Sequence, residues 1–156
     1  MKPVILKVEW LLTRHCNLKC HYCKIIDSKS LKHKELSYER VIAGVNRINK
    51  DFPGVPIIFF GGEPTVKTWL PNLVSYCEKI GQKYAIISNS VYPLKNEDYL
   101  KRLIDAGLSN WSVSIDTLKN PFLNFFHSDT KDSYTKSMAG FKLLKKLRDM
   151  GVKNLS

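Results

Sequence analysis

Three cysteines fall close together in Cys16-Asn17-Leu18-Lys19-Cys20-His21-Tyr22-Cys23, a C-x3-C-x2-C spacing. Thiolates are the ligands of iron–sulfur clusters, and a cubane [4Fe–4S] cluster normally takes four of them. Three thiolates from one loop hold three irons and leave the fourth open to a small molecule, and an open iron is a place for chemistry. Zinc is the competing reading. Cys20 and Cys23 form the C-x2-C unit that zinc sites favour, and Cys16, His15 or His21 would complete a tetrahedron. A disulfide is disfavoured, because three local cysteines leave an odd thiol. The fourth cysteine, Cys77, lies at helical spacing in Leu73-Val74-x-x-Cys77-x-x-Ile80 and reads as a buried apolar residue.

A second segment comes after a short apolar run. Ile57-Ile58-Phe59-Phe60 has the continuous apolarity of a strand buried on both faces, and it leads directly into Gly61-Gly62-Glu63-Pro64. Two glycines at a strand end permit unusual dihedrals and close approach of the backbone to a ligand. Pro64 stiffens the exit. Gly-Gly alone is also an ordinary turn signal; its weight comes from standing one β-α unit after the cysteines.

Thr13-Arg14-His15-Cys16 through Cys23, followed by Gly61-Gly62-Glu63-Pro64, resembles the radical S-adenosylmethionine (SAM) enzymes, and the aromatic Tyr22 before the third cysteine fits the same family. The resemblance extends over essentially the whole chain. It implies a [4Fe–4S] cluster on Cys16, Cys20 and Cys23, with SAM chelating the fourth iron through its amino and carboxylate groups. Reductive cleavage of SAM to a 5′-deoxyadenosyl radical, which abstracts hydrogen from substrate, is the implied reaction. It further implies that Gly61, Gly62, Glu63 and Pro64 hold the methionine amino group, that Tyr22 lies near the adenine, and that Asn89, Ser114 and Asp116 touch the methionine carboxylate or ribose. A reductant such as flavodoxin or ferredoxin is implied as a partner. The cysteine loop is most similar to the branch holding molybdenum-cofactor synthases and peptide-modifying maturases, a resemblance that implies a small molecule or a peptide as substrate without naming it. Where many relatives have Thr-Asn-Gly, this chain has Ser88-Asn89-Ser90, and if the last position needs a positive φ, serine is a costly choice. A non-catalytic zinc or iron–sulfur module, or a degenerate half-domain, remains the alternative from another class.

The elements that position these segments alternate strand and helix. The pattern predicts strands at about Val4–Leu12, Pro56–Phe60, Tyr84–Ser88 and Trp111–Ile115. It predicts helices from Ser37, from about Trp69 to Ile80 with Gly81 as cap, from Asn96 to Gly107, and from Ser133 to Met150. Phe122, Phe125 and Phe126 in the loop after the fourth strand are expected to pack. Repeated β-α units give an α/β fold, a partial (β/α) TIM-type barrel with parallel strands. It has about four β-α units and, in Val152–Ser156, the start of a fifth strand. Each predicted strand ends in one of the marked segments, so all four would share the C-terminal rim of the barrel. Residues 1–156 read as one domain, a radical SAM core incomplete at its C-terminus, completed by a missing segment or as a homodimer. The bare edge of the fourth strand would invite such pairing.

Composition bounds the remaining classes. With 44% hydrophobic residues the chain can bury a core, and no run reaches the roughly 18 apolar residues of a membrane span. The N-terminus has no secretory pattern, so the cytoplasm is the default, which suits reduced thiols. The net charge is +11, from 25 Lys+Arg against 14 Asp+Glu. Nucleic acid is compatible with that charge, but the lysines are scattered over different segments, and a solvated surface is favoured. Arg14, His15, Lys19 and Lys24 surround the cysteine loop, which predicts that its thiolates are favoured.

Overall fold

The computed structural model describes residues 4–20, 23, 25, 35–115 and 133–156. Four strands, β1 (Val8–Thr13), β2 (Ile57–Gly61), β3 (Tyr84–Ser88) and β4 (Trp111–Val113), form one sheet in the order β1-β2-β3-β4. Every neighbouring pair is parallel. The helices are α1 (Tyr38–Asp51), α2 (Leu70–Ile80), α3 (Val91–Lys95), α4 (Glu97–Asp105) and α5 (Ser133–Asp149). Sequential order and parallel pairing make this the partial (β/α) barrel that the alternating pattern predicts.

Local side-chain chemistry sets the helix ends. Ser37 accepts the Arg40 N–H at the start of α1, and Asn96 accepts the Tyr99 N–H at 2.9 Å at the start of α4. Gly81 closes α2 in the left-handed conformation, with φ 68°. Each of the longer helices sends one stripe into the sheet: Val41 and Val45 from α1, Leu73, Val74 and Cys77 from α2, Leu100 and Leu103 from α4, and Leu143 and Leu147 from α5. These meet the register row Phe59–Ile86–Trp111 on the helix-facing side of the sheet. Trp10 lies opposite Phe59 in the ladder, with the two ring centroids 6.2 Å apart. Gly44 lets α1 lie directly on that indole, since a Cβ there would strike the Trp10 ring.

Four expectations are corrected. β1 begins at Val8 rather than Val4: Val8 N–H already bonds Pro56 O, before the first residue of β2, so residues 4–7 have no partner strand there and Val4 and Leu6 stand exposed. β4 ends at Val113, two residues early. Its edge is not bare, because the segment after α5 runs beside it in parallel. Trp111 bridges Leu155, the Trp111 N–H donates to Asn154 O at 3.3 Å, and the Ser156 N–H donates to Trp111 O at 3.0 Å. The short helix α3 between β3 and α4 has no counterpart in the expected pattern. Its Pro93 sits in the first turn, where no intrahelical N–H is needed. The phenylalanines at 122, 125 and 126 lie outside the described residues.

Ser90 joins β3 to α3 with φ 63°, the left-handed conformation glycine adopts at no cost. It is fully buried, and its hydroxyl accepts the indole N–H of Trp111 at 3.2 Å. Replacing Ser90 by Ala keeps the backbone strain and leaves that buried N–H without its partner, a loss of about 1–3 kcal/mol. Replacing it by Gly loses the same bond but relieves roughly 1–2 kcal/mol of left-handed strain. Urea denaturation should therefore rank wild type and Ser90→Gly above Ser90→Ala; equal losses in the two variants would contradict this account.

Candidate functional site

At the C-terminal end of β1 the ladder slips by one residue. Leu11 pairs with Phe60 and Thr13 with Gly61, which leaves Leu12 as a bulge. A bulge bends its strand and re-aims the chain beyond it, which here is the cysteine loop. The loop then folds back across the end of β2. Gly62 N–H donates to Thr13 O and Glu63 N–H to His15 O, each at 2.8 Å. These two bonds carry the β1–β2 ladder past the strands and into the loop.

That closeness is what requires the glycines. Gly61 has φ 144°, and a Cβ on it would collide with the Thr13 carbonyl. A Cβ on Gly62 would collide with the carbonyls of His15 and Arg14. On the faces where side chains would grow, the room beside the two glycines is taken by the backbone of Thr13, at the end of β1, and of Arg14 and His15 in the cysteine loop.

Glu63 is the buried centre of the rim, 1% exposed. One carboxylate oxygen accepts the Thr65 N–H at 3.0 Å, the Thr65 hydroxyl at 2.6 Å and the Ser88 hydroxyl at 2.7 Å, and the other accepts the Asn89 N–H at 2.7 Å. The carboxylate thereby ties the exit of β2 to the exit of β3. Pro64 opens the buried 3₁₀ turn Pro64–Val66 beneath it. Ser114, after β4, donates its N–H to Ser88 O at 2.9 Å, so three strand exits are linked in sequence.

The three loop cysteines are half-buried and form no disulfide, while Cys77 is fully buried in α2 as its helical spacing predicts. The Cys16 sulfur accepts the Leu18 N–H at 3.3 Å and lies 3.8 Å from the Asn89 side-chain amide nitrogen. The Cys23 N–H donates to Cys20 O at 3.0 Å, closing a turn between the second and third cysteines. The expected thiolate-favouring field is overturned at Cys16. Burial pushes its thiol up to about 11; the Leu18 N–H opposes this, while the charges of Glu63, Cys20 and Cys23 add to it. Among the described residues, no three His, Cys, Asp or Glu side chains converge closely enough for one metal ion. Three soft sulfur donors on one loop, with N–H groups directed at a sulfur, fit the ligand set of a cluster. Tyr22 and Asp116, with His21 and Lys24, lie outside the described residues.

Two side chains that hold the loop carry no sequence signal. Glu35 accepts the Arg14 N–H at 2.9 Å and pairs with the Lys67 ammonium at 2.7 Å. Burial works to raise the Glu35 carboxyl, but Lys67, the Arg14 N–H and the Thr13 hydroxyl outweigh it, so its pKa lies below the ordinary 4.5. The ion pair joins the entry of the cysteine loop to the turn after Pro64. Nothing in periodicity or motif marks one glutamate and one lysine across that distance.

The family model described as the radical SAM superfamily matches residues 10–154. Among curated proteins, a 7,8-dihydro-6-hydroxymethylpterin dimethyltransferase from Methanocaldococcus jannaschii is 36% identical over 114 residues, 72% of this chain and 22% of that protein. An Fe-coproporphyrin III synthase from Methanosarcina barkeri is 35% identical, over 76% of this chain and 28% of its own. The chain thus spans about a quarter of the length of these relatives. Among solved structures, Streptococcus suis SuiB bound to S-adenosylmethionine superposes with a TM-score of 0.69 at 23% identity, covering 96% of this chain and 33% of that one. That likeness is one of fold, and it places the four-stranded sheet in a TIM-type barrel.

The Glu35 shift has a sign that can be checked. A carboxyl whose pKa is lower folded than unfolded stabilises the fold above the unfolded value and ceases to do so as pH falls through the folded one. From pH 4.5 downwards, protonation of Glu35 should therefore release Arg14 and Lys67. Hydrogen exchange at the Arg14 amide, corrected for its intrinsic rate, should lose protection in that window. Glu35→Gln should show the lower protection already at neutral pH and no further step; a step that persists in Glu35→Gln would refute the assignment.

Proposed function

The chain belongs to the radical SAM superfamily, and on that premise we propose that Cys16, Cys20 and Cys23 bind a [4Fe–4S] cluster with S-adenosylmethionine beside it, as the core of an enzyme that starts radical reactions. Those are the cofactors of the family. The chemistry they supply when bound is reductive cleavage of the SAM carbon–sulfur bond and hydrogen abstraction from a substrate. The observation that carries the reading is the joining of the cysteine loop to the Gly61–Pro64 segment by two backbone hydrogen bonds at the C-terminal rim of a parallel sheet.

The work of the chain's own residues is set by that rim. The three cysteines would hold the cluster as thiolates, and ligation at Cys16, whose thiol burial pushes up to about 11, would displace a proton. The backbone of Gly61, Gly62, Glu63 and Pro64 stands next to the loop and offers polar groups to the methionine amino group. We assign Ser114, exposed at the exit of β4, to the carboxylate or ribose. We assign Tyr22 to the adenine and Asp116 to the methionine carboxylate or ribose on the family motif alone. Glu63 acts from underneath, by locking the exits of β2 and β3. The Asn89 side chain is engaged with the cysteine loop rather than turned to open space.

The substrate is proposed only as a small molecule or a peptide. The names of the relatives span a pterin dimethyltransferase and an Fe-coproporphyrin III synthase, and SuiB is also known bound to a precursor peptide. A flavodoxin or ferredoxin is the class of reductant such chemistry requires. No helix among the described residues is long and apolar enough to cross a membrane, and we place the protein in the cytoplasm, where its thiols stay reduced.

Anaerobic reconstitution with iron and sulfide should load about four irons per chain, the content of one cubane. Cys16→Ala, Cys20→Ala and Cys23→Ala should each abolish the cluster, and Cys77→Ala should retain it. SAM added to the reduced cluster should alter its EPR spectrum, and Gly62→Ala, by pushing the loop off the rim, should weaken both loading and that response. Tight zinc binding with no iron–sulfur absorption would overturn the proposal.

A further inference from the structure

Asn89 stands at the exit of β3, far along the chain from the cysteines, yet its side chain reaches into their loop. Its amide nitrogen donates to the Asn17 side-chain oxygen at 2.8 Å and lies 3.8 Å from the Cys16 sulfur, within reach of an N–H···S hydrogen bond. Its amide oxygen accepts the Val91 N–H at 3.1 Å, which fixes which way the amide faces. Its backbone N–H is held by Glu63 at 2.7 Å. Every polar atom that orients this side chain is therefore occupied from within the protein, and the one sulfur it approaches belongs to the first cysteine of the loop.

We propose that Asn89 is a positioning residue for Cys16: its amide N–H, with the backbone N–H of Leu18, donates to the Cys16 sulfur and sets the reduction potential of the cluster bound there. The proposal rests on the cluster reading above, and it replaces a contact between the Asn89 side chain and SAM. The physical basis is charge. A thiolate on a cluster gains negative character when the cluster is reduced, and an N–H aimed at the sulfur stabilises that state more than the oxidised one, so it raises the potential. Leu18 supplies one such donor at 3.3 Å from the loop itself. Asn89 supplies a second from another strand, and the buried Glu63 carboxylate holds it in place. The Gly61–Pro64 segment would in this way influence the cluster through Glu63 and Asn89 as well as through its own backbone.

The test is a redox titration, followed by EPR, of the anaerobically reconstituted chain without SAM. Asn89→Ser keeps a hydroxyl that can accept from Val91 N–H but is too short to reach the sulfur. It should retain its four irons and titrate at a more negative potential than wild type. Asn89→Asp, isosteric and still able to accept from Val91, replaces the donor by a charge and should shift further in the same direction. Ser109→Ala, at the opposite end of β4 from the rim, should leave the potential of the SAM-free cluster unchanged. Midpoints of Asn89→Ser and Asn89→Asp equal to wild type, with SAM affinity reduced instead, would overturn the proposal and return Asn89 to the SAM site while leaving the cluster assignment intact. A wild-type chain that takes up no cluster would remove the function reading and this proposal together.

Discussion

A carboxylate shut away from water survives in a fold only when its oxygens are answered by donors, since an unpaired buried charge is far costlier than any single contact is favourable. Glu63 is answered four times, by the backbone and hydroxyl of Thr65, the hydroxyl of Ser88 and the backbone of Asn89. Two of those donors are local and two come from the next strand. The local pair shapes the turn after β2, and the distant pair fixes the exit of β3 against it. Without Glu63 the two exits would be neighbours only through the strands, and parallel pairing between β2 and β3 stops at Phe59 and Ile86, before either exit is reached. The carboxylate takes over where the ladder ends.

The cysteine loop depends on that platform from above. It is bound by two backbone hydrogen bonds that need glycine beneath them, by the Glu35–Lys67 pair at its entry, and by Asn89 at its first cysteine. Surface ion pairs contribute little as a rule, but the Lys67 side chain is only 14% exposed, and its partner also holds a backbone N–H. The loop is therefore anchored by backbone geometry first and by charge second. This ordering explains why a motif of two glycines, a glutamate and a proline is compact in sequence while its effects are spread over three strand exits.

Much of this is legible from residue types and order. Caps at Ser37, Gly81 and Asn96 are local chemistry, and local chemistry reads directly. The bounds of β3 come from its apolar run, and the order of parallel strands comes from alternation. The three cysteines are identifiable from spacing, though their family meaning comes from resemblance. The features that escape such reading depend on partners distant in sequence. Apolar Val4, Ile5 and Leu6 look like strand, but β2 offers them no backbone to pair with. The short α3 spans too few residues for periodicity to show. The start of a fifth strand over Val152–Ser156 is legible, and the bridge from its Leu155 to Trp111 covers the edge of β4 that the same reading left bare. The raised Cys16 thiol pKa runs against a count of nearby positive residues, because burial and the Glu63 charge act through space.

Ser90 shows how the sequence resolves a conflict between local and tertiary demand. The turn after β3 needs a left-handed residue, and serine accepts that at a cost of roughly 1–2 kcal/mol where glycine would accept it freely. Glycine, however, would leave the indole N–H of Trp111 unanswered in the middle of the core. The hydroxyl makes the hydrogen bond and roughly offsets the strain, and the bond links β4's buried tryptophan to the same turn that carries Ser88 and Asn89. Ser88 adds to the lock, since its hydroxyl accepts the Ser90 N–H at 2.9 Å while donating to Glu63. A turn held from both sides in this way cannot drift without breaking bonds to β4 and to the exit of β2. The amide of Asn89, between the two serines, is thereby aimed from a fixed base at the sulfur of Cys16.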